Sequence, residues 1–163
     1  MQKRVETARR VLGIDPGYDR CGVAVVERRE HKETLLYSNC IIPEKGELGT
    51  RFLELGTRIE ALITVWHPQA IACEKIFFTR NQKTGIAVAE LRGIIRYLSA
   101  QHGLLFCEYT PQEIKRAVTG YGNAEKAQVE SMVRALLRME KARRYDDEYD
   151  AVAVGLTALP SLR

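Results

Sequence analysis

The stretch Val11-Leu12-Gly13-Ile14-Asp15-Pro16-Gly17 decides the fold, because it places an acidic residue where a buried strand ends. An apolar run of this length between turn residues is typical of a strand in the centre of a sheet. Proline offers no N–H to a neighbouring strand, and glycine tolerates the positive φ of a tight turn. Asp15 therefore lies at or near the end of the strand. It either caps the turn or belongs to a functional site, and this stretch alone leaves both interpretations open.

The chain has 163 residues and a formal net charge of +4. This length can bury a full core, so we expect a single domain over residues 1–163, with residues 1–9 as a flexible N-terminal extension. No apolar run reaches the roughly 20 residues of a membrane span, and the first ten residues lack the apolar centre of a secretory signal. The charge permits an anionic partner without requiring one.

The cysteines are spaced too widely for a metal-binding C-x-x-C pair. Each has apolar or small neighbours of the kind found in strands, which favours buried free thiols over zinc or disulfides. We therefore expect a protein of a reducing cytoplasm. The four residues are Cys21, Cys40, Cys73 and Cys107.

The hydrophobic pattern predicts three strands, a helix, a strand, a helix, a strand and then further helices. The first three strands follow one another through short polar connections, so we expect them to be antiparallel, whereas the later strands follow helical crossovers and should be parallel. The chain therefore belongs to the α/β class, with a five-stranded mixed sheet flanked by helices. The expected strands are 11–15, 21–26, 34–42, 69–74 and 104–109, and the expected helices include 48–66, 84–101 and 146–159.

Two helix starts carry a recognisable capping pattern. Thr110 precedes Pro111 and Glu113, which is the arrangement of an N-cap followed by a first-turn proline and a capping-box glutamate. The short helix that follows should end at the glycines of 120–122. Asn123 is the expected cap of the next helix.

Three further carboxylates occupy positions that match that of Asp15. Glu74 ends the fourth apolar strand, and Asp147 and Asp150 are three residues apart on the last helix, which places them on one side of it. Acids at a helix start also have a simpler explanation, because they favour the helix dipole. We expect that simpler role, with full hydration, for the adjacent Asp146 and Glu148.

If the four acids converge, their repulsion requires counter-ions, since two unit charges 4 Å apart cost about 4 kcal/mol at an effective dielectric of 20. Two divalent cations would balance four negative charges. Oxygen-only ligands favour Mg²⁺ or Mn²⁺ over zinc. A pair of such ions can support phosphodiester cleavage. Spacing in the sequence does not establish that the four acids converge.

Four motifs, taken in order, resemble the RuvC family of Holliday junction resolvases, and the resemblance extends from Arg10 to about Leu159. A lone Gly-Ile-Asp-Pro-Gly would be weak, but the ordered set ending in Asp-x-x-Asp-Ala is specific. The chain lacks the basic tail of some relatives, and residues 1–10 are not part of the pattern. The motifs are Gly13-Ile14-Asp15-Pro16-Gly17, Cys73-Glu74-Lys75-Ile76-Phe77, the run from Gly120 to Val129, and Asp147-Glu148-Tyr149-Asp150-Ala151-Val152-Ala153.

The resemblance implies an RNase H-like fold, a homodimer, and Mg²⁺-dependent cutting of four-way DNA junctions by paired symmetric nicks, with two ions per site and Mn²⁺ as a substitute. It implies that Asp15, Glu74, Asp147 and Asp150 form the catalytic, metal-binding acidic tetrad. A branch-migration helicase complex is a possible partner. The apolar surface of the 84–101 helix exceeds what one sheet face can cover, so this helix is the expected dimer interface.

The resemblance also implies a set of DNA contacts. Lys115 and Lys126 match basic positions that the family uses against DNA, and Lys126 falls in the first turn of a helix, where a cation needs an anionic partner. Phe77 matches a position that stacks on an unpaired base, although the neighbouring Phe78 leaves that assignment open. Other basic residues could form a phosphate-binding rim: Arg80, Lys83, Arg116, Arg143 and Arg144.

Three other functions remain open from the sequence. A two-lobed ATPase of the actin and Hsp70 type also begins with an Asp-Gly turn after a strand, but it needs a second lobe and a second phosphate loop. A junction-binding protein without catalysis is a second alternative. A RuvC-like nuclease with a different nucleic-acid substrate is the third, and cleavage assays on junction, duplex and hybrid substrates would distinguish them.

Overall fold

The computed structural model describes residues 8–75, 82–140 and 145–162, except for the side chains of residues 82–84. The expected N-terminal extension, residues 1–9, therefore lies almost entirely outside the described residues. Among the described residues, no helix is long and apolar enough to cross a membrane. The strands are β1 (Arg9–Asp15), β2 (Cys21–Arg29), β3 (Lys32–Ile41), β4 (Ala70–Glu74) and β5 (Leu105–Tyr109), and the helices are α1 (Leu48–Trp66), α2 (Gln82–Gln101), α3 (Pro111–Thr119), α4 (Lys126–Leu137) and α5 (Asp146–Ala158).

The strands form one mixed sheet in the order β3-β2-β1-β4-β5. The antiparallel pairs are β1 with β2 and β2 with β3, while β4 runs parallel to both β1 and β5. The expected order of elements and the mixed sheet are confirmed. The central position of β1 follows from its sequence, because an apolar run without polar alternation is covered on both faces.

Helices cover both faces of the sheet and divide the core in two. Alternate residues of β1 point to opposite faces. Val11 packs in the cluster beneath α3, α4 and α5, while Leu12 and Ile14 pack in the cluster beneath α1 and α2. The side chain of Asp15 consequently points to the same face as Val11, towards α5.

The β2–β3 hairpin is longer than the sequence predicted. The polar residues expected as a connection continue both strands, and Arg28 Nε lies 3.6 Å from Glu33 Oε1 across the pair. The turn itself contains only Glu30 and His31, which both have positive φ (49° and 64°). Positive φ at both central residues suits the right-handed twist of a two-residue hairpin.

One of the two cap predictions is confirmed and the other is wrong. The Thr110 side chain accepts a hydrogen bond from the Glu113 N–H, and the Glu113 carboxylate accepts one from the Thr110 N–H. Helix α4, however, is capped by Glu125 together with Gln128, and not by Asn123. The cap therefore lies two residues later than predicted, and the glutamate–glutamine pair satisfies the free N–H groups at the start of the helix.

The cysteine prediction is largely confirmed. All four cysteines are unpaired, and three of them are buried, whereas Cys107 is partly exposed.

Candidate active site

The carboxyl ends of β1 and β4 bring Asp15 and Glu74 together. The two strands are adjacent and parallel, with Ile14 opposite Cys73, so the next residue on each strand lies at the same edge of the sheet. Strand β1 ends at Asp15, before Pro16, which has no N–H to donate to a neighbouring strand, and β4 ends at Glu74. Both side chains point to the face that α5 covers, since they follow Ile14 and Cys73, which point to the opposite face.

Two glycines allow α5 to approach the sheet closely enough to bring its acids to this edge. A Cβ on Gly22 would overlap the backbone O of Asp147, and a Cβ on Gly13 would overlap the backbone O of Ala151 and lie 2.8 Å from the N of Gly155. Helix α5 therefore begins over the carboxyl end of β1 and the start of β2, and runs back along β1. This position, which the sequence did not reveal, directs Asp147 and Asp150 towards Asp15.

The other three acids act electrostatically on Asp15. Its pKa is raised to about 7, first by burial and then by the negative charges of Asp150, Asp147 and Glu74. Burial disfavours the charged form of a carboxyl group, and like charges disfavour it further. We call these four residues the acidic cluster, because each of the other three acids acts on Asp15.

Glu74 and Asp150 share this environment. Burial raises the pKa of both, and the charge of Asp150 raises that of Glu74 further. Positive charges partly offset the effect, from Lys115, Arg92 and Lys126 at Glu74 and from Lys126 at Asp150. Perturbed carboxyl groups that cluster in a cleft are the usual mark of a functional site.

Two cations neutralise part of the acidic cluster. Lys126 Nζ lies 2.9 Å from Asp150 Oδ2 and 3.4 Å from Asp146 Oδ2, and Arg20 Nε lies 3.4 Å from Asp147 Oδ2. Burial lowers the pKa of Lys126, but the hydrogen bond and charge of Asp150 outweigh this and raise it. Lys126 is the first residue of α4, so the anionic partner that the sequence required is present.

A cleft of about 300 Å³ opens beside the cluster, between α3, α4 and α5. It combines two of the acids and two lysines with an apolar floor. Such a mixture gives a bound anion both charge and shelter from water. The lining residues are Glu74, Pro111, Ile114, Lys115, Lys126, Val129, Asp150, Ala153 and Val154.

The donor set fits a hard divalent cation, because four carboxylates with no sulfur or nitrogen ligand match the preference of Mg²⁺ or Mn²⁺ for oxygen. The raised pKa of Asp15 also indicates negative charge that a cation would relieve. Within the described residues, however, no three Asp, Glu, His or Cys side chains are already arranged to hold an ion. Lys126 and Arg20 are the counter-ions of the cluster in this arrangement.

The structure describes three of the predicted DNA-binding residues, and two of these line the cleft. Lys115 and Lys126 line the cleft, whereas Arg116 is exposed at the end of α3, with its guanidinium against Gly122. The remaining predictions lie outside the described residues or, for Lys83, on an undescribed side chain: Phe77, Phe78, Arg80, Lys83, Arg143 and Arg144.

Sequence reasoning missed Arg20 and misjudged Glu148. Arg20 follows the Asp-Pro-Gly turn, and only the approach of α5 to the sheet brings Asp147 to it. Glu148, which we expected to be hydrated, is buried and accepts a hydrogen bond from Ser38 Oγ at 3.0 Å. Its neighbour Asp146 is exposed, as expected.

Comparison with known proteins finds relatives over most of the chain. The family model described as "Crossover junction endodeoxyribonuclease RuvC" matches residues 11–158. A protein of that name from Moorella thermoacetica is 43% identical over 147 residues, which cover 90% of this chain and 88% of the relative. One from Heliobacterium modesticaldum is 39% identical over 153 residues, which cover 93% of this chain and 94% of the relative.

Solved structures give the same result. The chain is similar to Thermus thermophilus RuvC in complex with Holliday junction substrate, with a TM-score of 0.88 and 29% identity over 94% of each chain. A yeast mitochondrial Holliday junction resolvase, at 13% identity and a TM-score of 0.70, shares the fold. The expected RNase H-like fold is thereby confirmed.

Proposed function

Since this chain belongs to the RuvC family of crossover junction endodeoxyribonucleases, we propose that it resolves four-way DNA junctions through a site built from Asp15, Glu74, Asp147 and Asp150. The family is metal-dependent, and we assign two Mg²⁺ ions, replaceable by Mn²⁺, to these four carboxylates. We treat residues 1–163 as one nuclease domain.

One observation carries the assignment of the site. The charges of all three other acids raise the pKa of Asp15, although these acids belong to β4 and α5. A purely structural role for these acids would not require such mutual repulsion, which destabilises the fold unless a cation relieves it. The cluster is therefore best explained as a binding site for positive charge.

The bound ions would activate the attacking water and stabilise the leaving oxygen of the phosphodiester. The residues of the chain supply the rest. Asp15 and Glu74 extend from rigid strand ends and fix the position of the site, while Asp147 and Asp150 approach from the start of α5, where the helix dipole favours negative charge. Rigid elements hold such groups more accurately than loops do.

Lys126 and Lys115 are placed to bind the DNA backbone. Both line the cleft beside Glu74 and Asp150. When cations occupy the acidic cluster, Asp150 no longer needs Lys126 as its counter-ion, and the ammonium group becomes available to a phosphate. Arg116, exposed at the end of the same helix as Lys115, extends this basic surface.

The remaining DNA contacts stay predictions from the sequence. Phe77 or Phe78 would stack on a base unpaired at the junction centre, a contact of roughly 1–3 kcal/mol. Arg80 and Lys83 would contact phosphates near that base. A helicase partner also stays a prediction.

Paired symmetric cuts need two sites related by a two-fold axis, so we propose a homodimer. Helix α2 supports this proposal. Ile86 and Tyr97 are 56% and 66% exposed on one side of the helix, opposite the buried Leu91 and Ile95. Between them, Gly93 has open space where a side chain would be, which would allow a second helix to approach closely.

The test is cleavage of a synthetic four-way junction with Mg²⁺, beside a linear duplex and an RNA–DNA hybrid of the same sequence. We expect paired nicks in the junction, none in the duplex or the hybrid, and no cutting in EDTA. Cutting of the hybrid alone would assign the site to a different nucleic-acid substrate. Binding of the junction without cutting under any divalent cation would contradict the catalytic assignment.

A further inference from the structure

Arg92 is a buried cation in α2 that contacts the end of the strand carrying Glu74. It is only 9% exposed. Its Nη1 donates a hydrogen bond to the backbone O of Glu74, and its Nη2 donates one to Oε1 of Glu108. Burying a guanidinium is costly unless it is paired and hydrogen-bonded, so these two contacts determine its position.

Glu108 holds Arg92 from the neighbouring strand. It lies opposite Cys73 in the pairing of β4 with β5, one residue before the site. Its other carboxylate oxygen accepts a hydrogen bond from Arg96 Nη2 at 2.8 Å. Arg96 differs from Arg92, because its side chain is 59% exposed and lies over the ring of Phe106.

The contact with Glu74 falls where the sheet ladder ends. At this end of β4, the N–H of Lys75 donates a hydrogen bond to the backbone O of Tyr109, at 2.8 Å, which holds β4 to β5. The carbonyl group of the same peptide, that of Glu74, accepts its hydrogen bond from Arg92 of α2. The peptide between Glu74 and Lys75 is therefore held by both β5 and α2. The guanidinium fork is planar and rigid, which makes this attachment directional.

We propose that Arg92 is a positioning residue for Glu74. It orients the backbone at the end of β4 so that the Glu74 carboxylate meets Asp15 and Asp150 at the metal site. This inference rests on the proposed function, since it assigns Glu74 to that site. Partners that orient metal ligands typically change metal affinity or activity by 10- to 100-fold when they are removed.

The chain offers a matched control for the test. Arg92→Gln removes the contact with Glu74 and one ion pair with Glu108, whereas Arg96→Gln removes an ion pair with the same carboxylate and leaves Glu74 untouched. Arg92→Lys keeps the positive charge, but a single ammonium cannot reproduce the two-pronged contact. All three variants are compared with the parent by circular dichroism, junction affinity in EDTA, single-turnover cleavage, and direct titration with Mn²⁺ in the absence of DNA.

We expect Arg92→Gln to bind Mn²⁺ at least tenfold more weakly and to cut at least tenfold more slowly, with junction affinity within twofold of the parent. Arg92→Lys should show a smaller loss of both, and Arg96→Gln should match the parent. Parental Mn²⁺ affinity in a folded Arg92→Gln variant would overturn the proposal. If that variant does not fold, parental Mn²⁺ affinity and cleavage rate in Arg92→Lys would overturn it equally.

The Mn²⁺ titration separates this proposal from the proposed function. If the parent binds Mn²⁺ but leaves four-way junctions uncut, the function is wrong, and the comparison of Mn²⁺ affinities still decides the role of Arg92.

Discussion

Asp15 is the residue on which the other three acids act, and its replacement tests the proposed metal site directly. Asp15→Asn removes one ligand charge and leaves the basic surface intact, so we expect cleavage to fall by at least 1,000-fold, about 4 kcal/mol in the activation barrier. Junction affinity in EDTA should stay within about twofold, because phosphate contacts dominate binding. Loss of junction binding together with cleavage would indicate a structural Asp15 instead.

The same residue makes the stability of the metal-free protein depend on pH. The pKa of Asp15 is about 7 in the folded protein, against an ordinary value of 3.8. As pH rises from 4 to 7, the unfolded chain loses this proton first. The folded state then binds more protons, and the free energy of unfolding falls. Above pH 7 Asp15 is ionised in both states, and its effect on the free energy of unfolding no longer changes with pH.

We therefore expect Asp15→Asn to melt at a higher temperature than the parent at pH 8 in EDTA, by roughly 5 °C, and at nearly the same temperature at pH 4. Mg²⁺ should raise the melting temperature of the parent more than that of the variant. Glu44→Gln, at an exposed acid of the loop before α1 that lies outside the cluster, is the control. An equal difference between variant and parent at pH 4 and pH 8 would contradict the buried-charge explanation.

At this scale the sequence was informative where a residue ends a strand. Asp15 could be placed because Pro16 marks the end of its strand, and Glu74 because the charged pair Glu74-Lys75 interrupts an apolar strand, and the carboxyl ends of parallel strands lie at one edge. Glu148 could not be placed, because its burial depends on Ser38 of β3, which no local pattern connects to α5. Arg92 was missed because its partners lie on two strands.

At the scale of elements, the distance between α5 and the sheet decides whether Asp147 and Asp150 reach the site. A Cβ at Gly22 would overlap the backbone O of Asp147, and neither backbone can move without shifting the helix. Gly22→Ala should therefore lower cleavage by roughly 100-fold, since displacements of about 1 Å have such effects on catalysis. Its melting temperature should also fall by several degrees.

Gly49→Ala is the matched control for that substitution. Gly49 lies on the exposed first turn of α1 with open space around it, so an added methyl group should leave cleavage unchanged and stabilise the helix by up to about 1 kcal/mol. Circular dichroism melts and single-turnover cleavage measure both variants. Full activity of Gly22→Ala would show that the helix position is not limiting.

The order and type of the elements could be predicted, because apolar periodicity and turn residues are local properties of the sequence. The bounds were less accurate where polar residues continue a strand, as in the β2–β3 hairpin, whose ends pair through Arg28 and Glu33. The closeness of α5 could not be predicted. It requires Gly13, Gly22 and Gly155 to meet backbone atoms far away in the chain.

At the scale of the whole molecule, the two faces of the sheet have different tasks. The face beneath α3, α4 and α5 carries the acids and lysines, and the opposite face beneath α1 and α2 carries the surface proposed for dimerisation. Arg92 lies between them, since it belongs to α2 and contacts the end of β4. A shift of α2 at the proposed interface would thus move Arg92 and, with it, the backbone of Glu74.

The structure also identifies which residue of α2 can test the dimer. Ile94 is a poor choice, because it packs against the core beneath α1, and its methyl group would lie 3.3 Å from a Cβ on Gly56. A charge at Ile94 would destabilise the fold itself. Ile86 is exposed and lies on the same side of the helix as Tyr97, so a charge there should disturb an interface without disturbing the core.

We expect Ile86→Glu to sediment as a monomer at micromolar concentration while the parent sediments as a dimer. Two glutamates brought together in a two-fold interface would repel each other after losing their hydration. The variant should melt at a lower temperature than the parent, since dimerisation stabilises the folded chain by mass action. It should nick junctions singly, because the second site is no longer held on the symmetric strand.

Leu53→Glu, at an exposed leucine of α1, is the control and should remain dimeric. A parent that sediments as a monomer and still makes both cuts in concert would exclude the dimer.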